Sequence, residues 1–255
     1  LHCDSRRQRQ MCIRDRLAYV NDQVYLLEVN PRASRTIPFV SKALGIPLAR
    51  IAARVMAGKS LKELNFKGVP NIKGFCVKEA VMPFNKFQNV DPILGPEMRS
   101  TGEVMGIGDT FAEAFEKAEV AAGVEIPKTG SVFISVRDTD KQFLSEIIPS
   151  LDQEGFKLIA TKGTANIIKD MGYKVMQIKK VLEGRPNIID LMKNKEVNLV
   201  INTTEGRESI QDSASIRRTA LDQKICCTTT IQGAKAICEV LSKKVDWSYQ
   251  KLQDN

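Results

Sequence analysis

The sequence predicts an α/β protein of two parts, and three observations carry that reading. From residue 131 onward, short runs rich in β-branched residues alternate with helix-period stretches. Before that, a strand-like run, "VYLLEV" at 24–29, stops against Pro31. Between them lies a region punctuated by Gly and Pro with few periodic segments. Strict alternation of apolar strands with helices means a parallel sheet covered on both faces, because each parallel pair needs a crossover between its strands.

The elements follow in order. Residues 1–16, "LHCDSRRQRQMCIRDR", lack an initiating Met and any hydrophobic period. They read as a non-native, adapter-derived leader and are set aside from the fold expectation. "PLARIAARVMAGKSL" is a helix, with Leu48, Ile51, Ala52, Val55 and Met56 at helical spacing, Pro47 suited to the first turn and Gly58 to the C-cap. Residues 66–108 are loop-rich, with β-like pieces such as "GFCVKEAVM". "GEVMGIG" resembles a phosphate loop but follows no clear strand and lacks a Walker lysine, so it reads as a turn-rich connector. Thr110 and Glu113 make a capping box before "FAEAFEKAEVAA", which ends at Gly123, and "GVEIPKTG" is a linker.

Beyond it, "SVFISV" is a strand, and 140–154 a helix that Pro149 should kink. "KLIAT", "KVMQI", "VNLVINT" and "KICCTTTI" are strands. "KGTANIIKDM", "PNIIDLMKN", "SIRRTALDQ" and "AKAICEVLSK" are helices. About 125 residues suffice for one such domain.

A chain of 255 residues accommodates this plan, and 43% hydrophobic with 27% charged residues describes an ordinary globular composition. No apolar run reaches the roughly 20 residues of a bilayer span. The net charge is +8, of which residues 1–16 supply +3. The remainder suits anionic small molecules. A nucleic-acid binder lacks support, with aromatics at 6% and no basic stripe outside the leader. Six cysteines show no metal spacing, and adjacent Cys226 and Cys227 in a strand should point to opposite faces as reduced, buried thiols of a cytoplasmic protein. His2 is the single histidine, which leaves imidazole chemistry almost nothing to work with.

Two constellations carry chemistry. Glu28 and Asn30, two apart on a strand, leave the same face, and their oxygens are hard donors suited to Mg²⁺ or Mn²⁺. Arg32 and Arg35 lie just beyond, where guanidinium forks onto phosphate or carboxylate oxygens are available. A solvated strand end, a turn Asn-Pro and two surface arginines account for the same residues. In the second half, Thr161 and Thr164 fall at a helix N-terminus, whose free N–H groups and dipole attract anions, and Gly163 permits close backbone approach. Lys141 and Lys180 supply charge, while Asn202 and Thr204 end a strand. Ligands of open parallel sheets sit beyond the carboxyl ends of the strands. An ordinary Thr161 helix cap and solvated lysines are the alternative.

E-x-N-P-R at a strand end resembles ATP-grasp enzymes. The continuation "ASRTIPFVSKALGIPLARIAARVMAGKSL", with "VKEAVMPFNKF", "DPILGPEMRSTGEVMGIG", "EGRPNIIDLMKN" and "INTTEGR", is similar to the large chain of the carbamoyl phosphate synthetase family. That resemblance implies an α/β fold with the C-terminal portion of an ATP-grasp, carbamate-phosphorylating domain at 17–123. An open parallel-sheet, methylglyoxal-synthase-like regulatory domain would follow at 124–255. It implies ATP as substrate with bicarbonate and ammonia, and a glutaminase small chain as partner, for pyrimidine and arginine synthesis. By the same resemblance Glu28 and Asn30 hold the metals, and Arg32 and Arg35 serve catalysis. Lys141, Thr161, Thr164, Lys180, Asn202 and Thr204 match contacts to UMP- or IMP-type effectors, and Glu79 and Thr229 match an ornithine site. Met82 stands where the family more usually has Leu. The family's further metal ligand, a glutamine twelve residues before the Glu, is here Arg16, and its adenine-binding residues lie upstream. The fragment alone is therefore expected to be inactive. The alternative is a stand-alone, non-catalytic regulatory protein that binds nucleoside monophosphates. Methylglyoxal synthase activity itself is not expected, because residues 124–255 hold no histidine.

Overall fold

The computed structural model describes residues 13–31, 34, 36–84, 91–92, 102–205, 210–211 and 213–243. It divides into two compact units at residues 73 and 74.

In the first unit, β1 (Ile13–Val20) and β2 (Gln23–Pro31) form an antiparallel hairpin. Asn21 and Asp22, at φ 49° and 58°, supply the two left-handed residues that a tight hairpin turn with native twist requires. Ile13–Arg16, set aside in the sequence reading, continue β1, and a bulge at Arg16/Leu17 adds one residue to β2. Two helices follow, α1 (Thr36–Leu44) and α2 (Leu48–Met56). Pro38 lies in the first turn of α1, where a missing N–H costs nothing. No side chain of either helix is buried.

The second unit opens with an antiparallel pair, β3 (Phe75–Val81) and β4 (Gly102–Gly108). "GEVMGIG" is thus a strand and not a turn-rich connector. Gly106 and Gly108 are packing devices: a Cβ on Gly106 would collide with the carbonyl oxygen of Ala114, and one on Gly108 with Ala114 N and Glu113. They let α3 (Phe111–Ala122) lie close against the strand. Thr110 caps α3 by accepting from Glu113 N–H at 3.3 Å, but the Glu113 carboxylate accepts from Asp109 N–H at 2.9 Å, one residue earlier than a capping box requires. Gly123, at φ 85°, closes the helix in the left-handed region.

The rest is a five-stranded parallel sheet built from β5 (Ser131–Ser135), β6 (Lys157–Thr161), β7 (Val175–Ile178), β8 (Leu199–Asn202) and β9 (Cys226–Thr228). The order is β7-β6-β5-β8-β9, so the chain winds outward one way from β5 and then returns to its other side. Side-chain alternation sends Val132, Ile134, Leu158, Ala160, Leu199 and Ile201 to one face. There they pack with α4 (Leu144–Gln153), α5 (Lys162–Asp170) and α8 (Ile231–Lys243). Phe133, Ile159 and Val200 point to the other face, against α6 (Ile188–Lys193) and α7 (Ala214–Asp222). Cys226 belongs to the first core and Cys227 packs on the second, as neighbours on a strand must. The stretch expected as one helix from 140 begins instead as a 3-10 helix, Asp138–Phe143, before α4.

Candidate functional site

The winding of the sheet reverses between β5 and β8, which opens a crevice at their carboxyl ends. A cavity of about 690 Å³ occupies this edge. All six residues expected there line it: Lys141, Thr161, Thr164, Lys180, Asn202 and Thr204. Strand ends bring several of them there, while Lys141 comes from the 3-10 helix Asp138–Phe143 and Thr164 from the first turn of α5. Ser135 closes β5, Thr161 closes β6 and Asn202 closes β8, while Lys180 stands two residues beyond β7.

One end of the cavity gathers hydrogen-bond donors and positive charge. Thr161 holds the N-cap position of α5, but its side chain makes no capping hydrogen bond. Its hydroxyl lies 3.2 Å from that of Ser135. The first N–H groups of α5 are therefore not satisfied by that cap, and they carry the positive end of the helix dipole. Thr164 accepts from Val136 N–H at 3.4 Å, which leaves its own O–H to donate. A Cβ on Gly163 would lie 3.4 Å from Lys141 Nζ, so the ammonium sits over the first turn of the helix. Lys141 pairs with Asp138 Oδ1 at 2.6 Å, and this contact first, with Lys180 contributing less, holds the exposed Asp138 carboxyl below its ordinary value.

The other end mixes an apolar wall (Phe133, Val181, Ile188, Ile216) with polar groups at the end of β8. Asn202 is 1% exposed and its Nδ2 is buried without a hydrogen-bond partner. Buried donors are rarely left so, and this one opens beside the cavity. Sequence reasoning missed Ser135, Arg137 and Thr203. Thr203 accepts from Arg137 N–H at 3.1 Å and donates its own N–H to Ser135 O at 3.0 Å, which stitches β8 to β5 at the mouth of the crevice. A Ser ending an apolar strand was the available signal.

The remaining expected residues are not gathered in this way. Glu79 is half-buried on β3, and burial raises its carboxyl above the usual range. Burial and then the Glu79 charge push nearby Glu119 up to about 7. Thr229 is exposed just beyond β9, and no hydrogen bond or ion pair joins it to Glu79. In the first unit, Glu28 and Asn30 occupy alternate positions of β2, opposite Arg16 and Arg14. Arg16 Nε lies 2.7 Å from Glu28 Oε1. The guanidinium thus sits against one oxygen of the carboxylate without a hydrogen bond from Nε, and its charge repels a divalent cation there, so the donor set as it stands does not fit one. Arg32 and Arg35 lie outside the described residues. Among the described residues no three His, Cys, Asp or Glu side chains converge for a metal. Nor is any single helix among them long and apolar enough to cross a membrane.

Residues 144–229 match the MGS-like domain family, and residues 13–64 match the family "Carbamoyl-phosphate synthase L chain, ATP binding domain". Carbamoyl phosphate synthase large chain of Pseudomonas syringae pv. tomato is 58% identical over 240 residues, and that of Pseudomonas aeruginosa 56% over 238. The large chain of Halomonas eurihalina is 52% identical over 243 residues. Each match covers 93% of this chain and 22% of the relative. Among solved structures, methylglyoxal synthase from Elizabethkingia anophelis NUHP1 covers 44% of this chain and 79% of its own at 19% identity and a TM-score of 0.38, too slight a likeness to build on. The chain thus spans about a fifth of the length of these relatives, to which nearly all of it is similar, and its two family matches put a stretch like an ATP-binding domain ahead of an MGS-like one.

Proposed function

We propose that the cavity at the carboxyl edge of the parallel sheet binds a nucleoside monophosphate of the UMP or IMP type, and that the region from about residue 124 senses this ligand for a carbamoyl phosphate synthetase. The observation that carries the reading is the convergence of the six residues on one cavity with two unlike ends. A phosphate dianion suits the start of α5, where Lys141, Thr164 and free backbone N–H groups meet. A planar base suits the apolar wall, with Asn202 Nδ2 and Thr204 available to its polar edge or to ribose.

Within an intact large chain, the reaction served would be ATP-dependent ligation. ATP phosphorylates bicarbonate, ammonia from a glutaminase small chain gives carbamate, and a second ATP phosphorylates carbamate. In that setting, with a glutamine in place of Arg16 as the resemblance implies, Glu28 and Asn30 are the proposed holders of Mg²⁺ or Mn²⁺, Arg32 and Arg35 the phosphoryl clamp, and the cytoplasm the compartment. Ornithine is the proposed ligand near Glu79 and Thr229. The Arg16–Glu28 pair favours a second reading for this chain by itself, a non-catalytic regulatory protein that binds the nucleotide.

Calorimetric titration with UMP and with IMP tests the cavity, beside an assay for carbamoyl phosphate from ATP, bicarbonate and ammonia. Binding with one-to-one stoichiometry and no turnover is expected. Absence of heat with both nucleotides overturns the cavity assignment, and measurable synthesis overturns the inactivity of the chain alone.

A further inference from the structure

Helix α7 carries two consecutive arginines, and both reach back to the connector between β3 and β4. Arg217 is 2% exposed. Its Nε donates to Asp91 Oδ1 at 2.8 Å, and its Nη2 donates to Asp91 Oδ2 and to the Ile210 carbonyl. Its Nη1 is buried without a partner. Arg218 Nη1 donates to the Phe84 carbonyl at 3.3 Å. One helix thus grips the connector at Phe84 and again at Asp91. The same helix borders the nucleotide cavity, which is lined by Ile216 and by Ser213 just ahead of it.

We propose that the Arg217–Asp91 pair is a latch that transmits occupancy of the cavity to the β3–β4 connector. The inference rests on the nucleotide reading given above. Its physical basis is the stiffness of a forked ion pair whose arginine is buried and whose aspartate is partly exposed. Arg217 cannot shift away from Asp91 without stranding a desolvated charge whose Nη1 already lacks a partner. Any displacement or ordering of α7 by a ligand against Ile216 is therefore carried to Asp91 rather than absorbed by solvent. Coupling needs a contiguous element with a differential response to ligand, and α7 with its two arginines is that element. The connector in turn joins the strand that carries Glu79 to the strand that lies under α3.

The test is hydrogen exchange of the full chain, read by mass spectrometry on peptides spanning residues 82–101, with and without saturating UMP. Calorimetry on the same samples records binding. In the unmodified protein UMP slows exchange there by about fivefold, the low end of coupling between linked sites. Asp91→Asn keeps the shape and drops the charge, and in that variant UMP still binds while the connector no longer responds. Should Asp91→Asn fail to fold, the double variant Asp91→Leu, Arg217→Met removes both charges at once, a change that buried pairs tolerate better than loss of one partner. The same result is expected from it. A connector that responds in these variants as in the unmodified protein overturns the latch, as does UMP binding to the unmodified protein without any response at 82–101. If calorimetry records no UMP binding to the unmodified protein, the nucleotide reading fails and the latch falls with it.

Discussion

Gly163 is where stability and binding pull in opposite directions. It occupies the second position of α5 with nothing nearer to a would-be Cβ than Lys141 Nζ at 3.4 Å, and its φ lies outside the left-handed region. Gly163→Ala should therefore stabilise the fold by about 0.5–1 kcal/mol, because alanine loses less backbone entropy in a helix. The added methyl makes only ordinary contact with the ammonium, but it stands where a phosphate would close on the first N–H groups of the helix, and loss of one charge-assisted hydrogen bond, about 1.5 kcal/mol, weakens UMP about tenfold. Thermal unfolding and calorimetry on one sample check both signs. Glu119 gives a pH signature. Its carboxyl is pushed from an ordinary 4.5 to about 7 by burial first and by the Glu79 charge second. The folded state then holds a proton that the unfolded chain has released. Stability is fully present below pH 4.5 and declines as pH rises toward and through 7. The loss is on the order of 2 kcal/mol after discounting for partial exposure. Glu119→Gln should flatten that decline and raise the Tm near pH 8 by roughly 4 °C. A variant whose Tm falls with pH as steeply as the parent would show that another group carries the dependence. Burial also pushes the Cys226 and Cys227 thiols up to about 12, so neither is a thiolate in this range.

Among the elements, β4 shows most plainly where sequence pattern stops informing. Gly102, Gly106 and Gly108 punctuate the run as a turn would, yet the run is a strand in full register with β3. What Gly106 and Gly108 answer to is a helix packed above them, and that contact is invisible until the chain is folded. The two substitutions differ accordingly. Gly106→Ala drives a methyl into the Ala114 carbonyl and should cost about 1–3 kcal/mol, whereas Gly102→Ala, whose methyl meets nothing closer than Val81 Cβ at 3.4 Å, should be nearly neutral. Equal Tm values for the pair would refute close helix–strand packing as the reason for glycine. The parallel sheet was readable because apolar, β-branched strands between helical periods admit few other solutions, whereas the six cavity residues were singled out by the family resemblance, strand ends alone leaving an ordinary helix cap and solvated lysines as the alternative. Helix α1 was not anticipated, because Pro38 and the polar residues around it interrupt the period that signals a helix. Nor does sequence pattern reveal that the Thr161 side chain makes no cap hydrogen bond, that Asn202 keeps an orphaned amide, or that Arg16 answers Glu28 across the hairpin. Each depends on side-chain placement between distant segments.

At the scale of the whole chain, the two units differ in what holds them together. Every buried apolar side chain among the described residues belongs to the second unit, where two cores flank the parallel sheet. The first has none, and its hairpin leaves Leu17, Tyr19, Val24 and Leu26 more than half exposed. An isolated two-stranded hairpin is marginal in water, and a helix pair without a buried face gains little from the hydrophobic effect. Residues 13–73 should therefore open locally at far lower free energy than the sheet domain, and opening controls cleavage. Brief trypsin digestion should cut first after Arg50, Arg54, Lys59, Lys62 and Lys67, all exposed. A protected product beginning near residue 74 and retaining the nucleotide cavity should accumulate. Mass spectrometry of the time course reads the order of cuts, and calorimetry on the purified product reads the cavity. Cleavage within 131–202 at the same rate as within 48–73 would mean that the second unit's two cores give no such advantage. Loss of UMP binding on removal of residues 13–73 alone would mean that the cavity depends on more than the sheet that forms it.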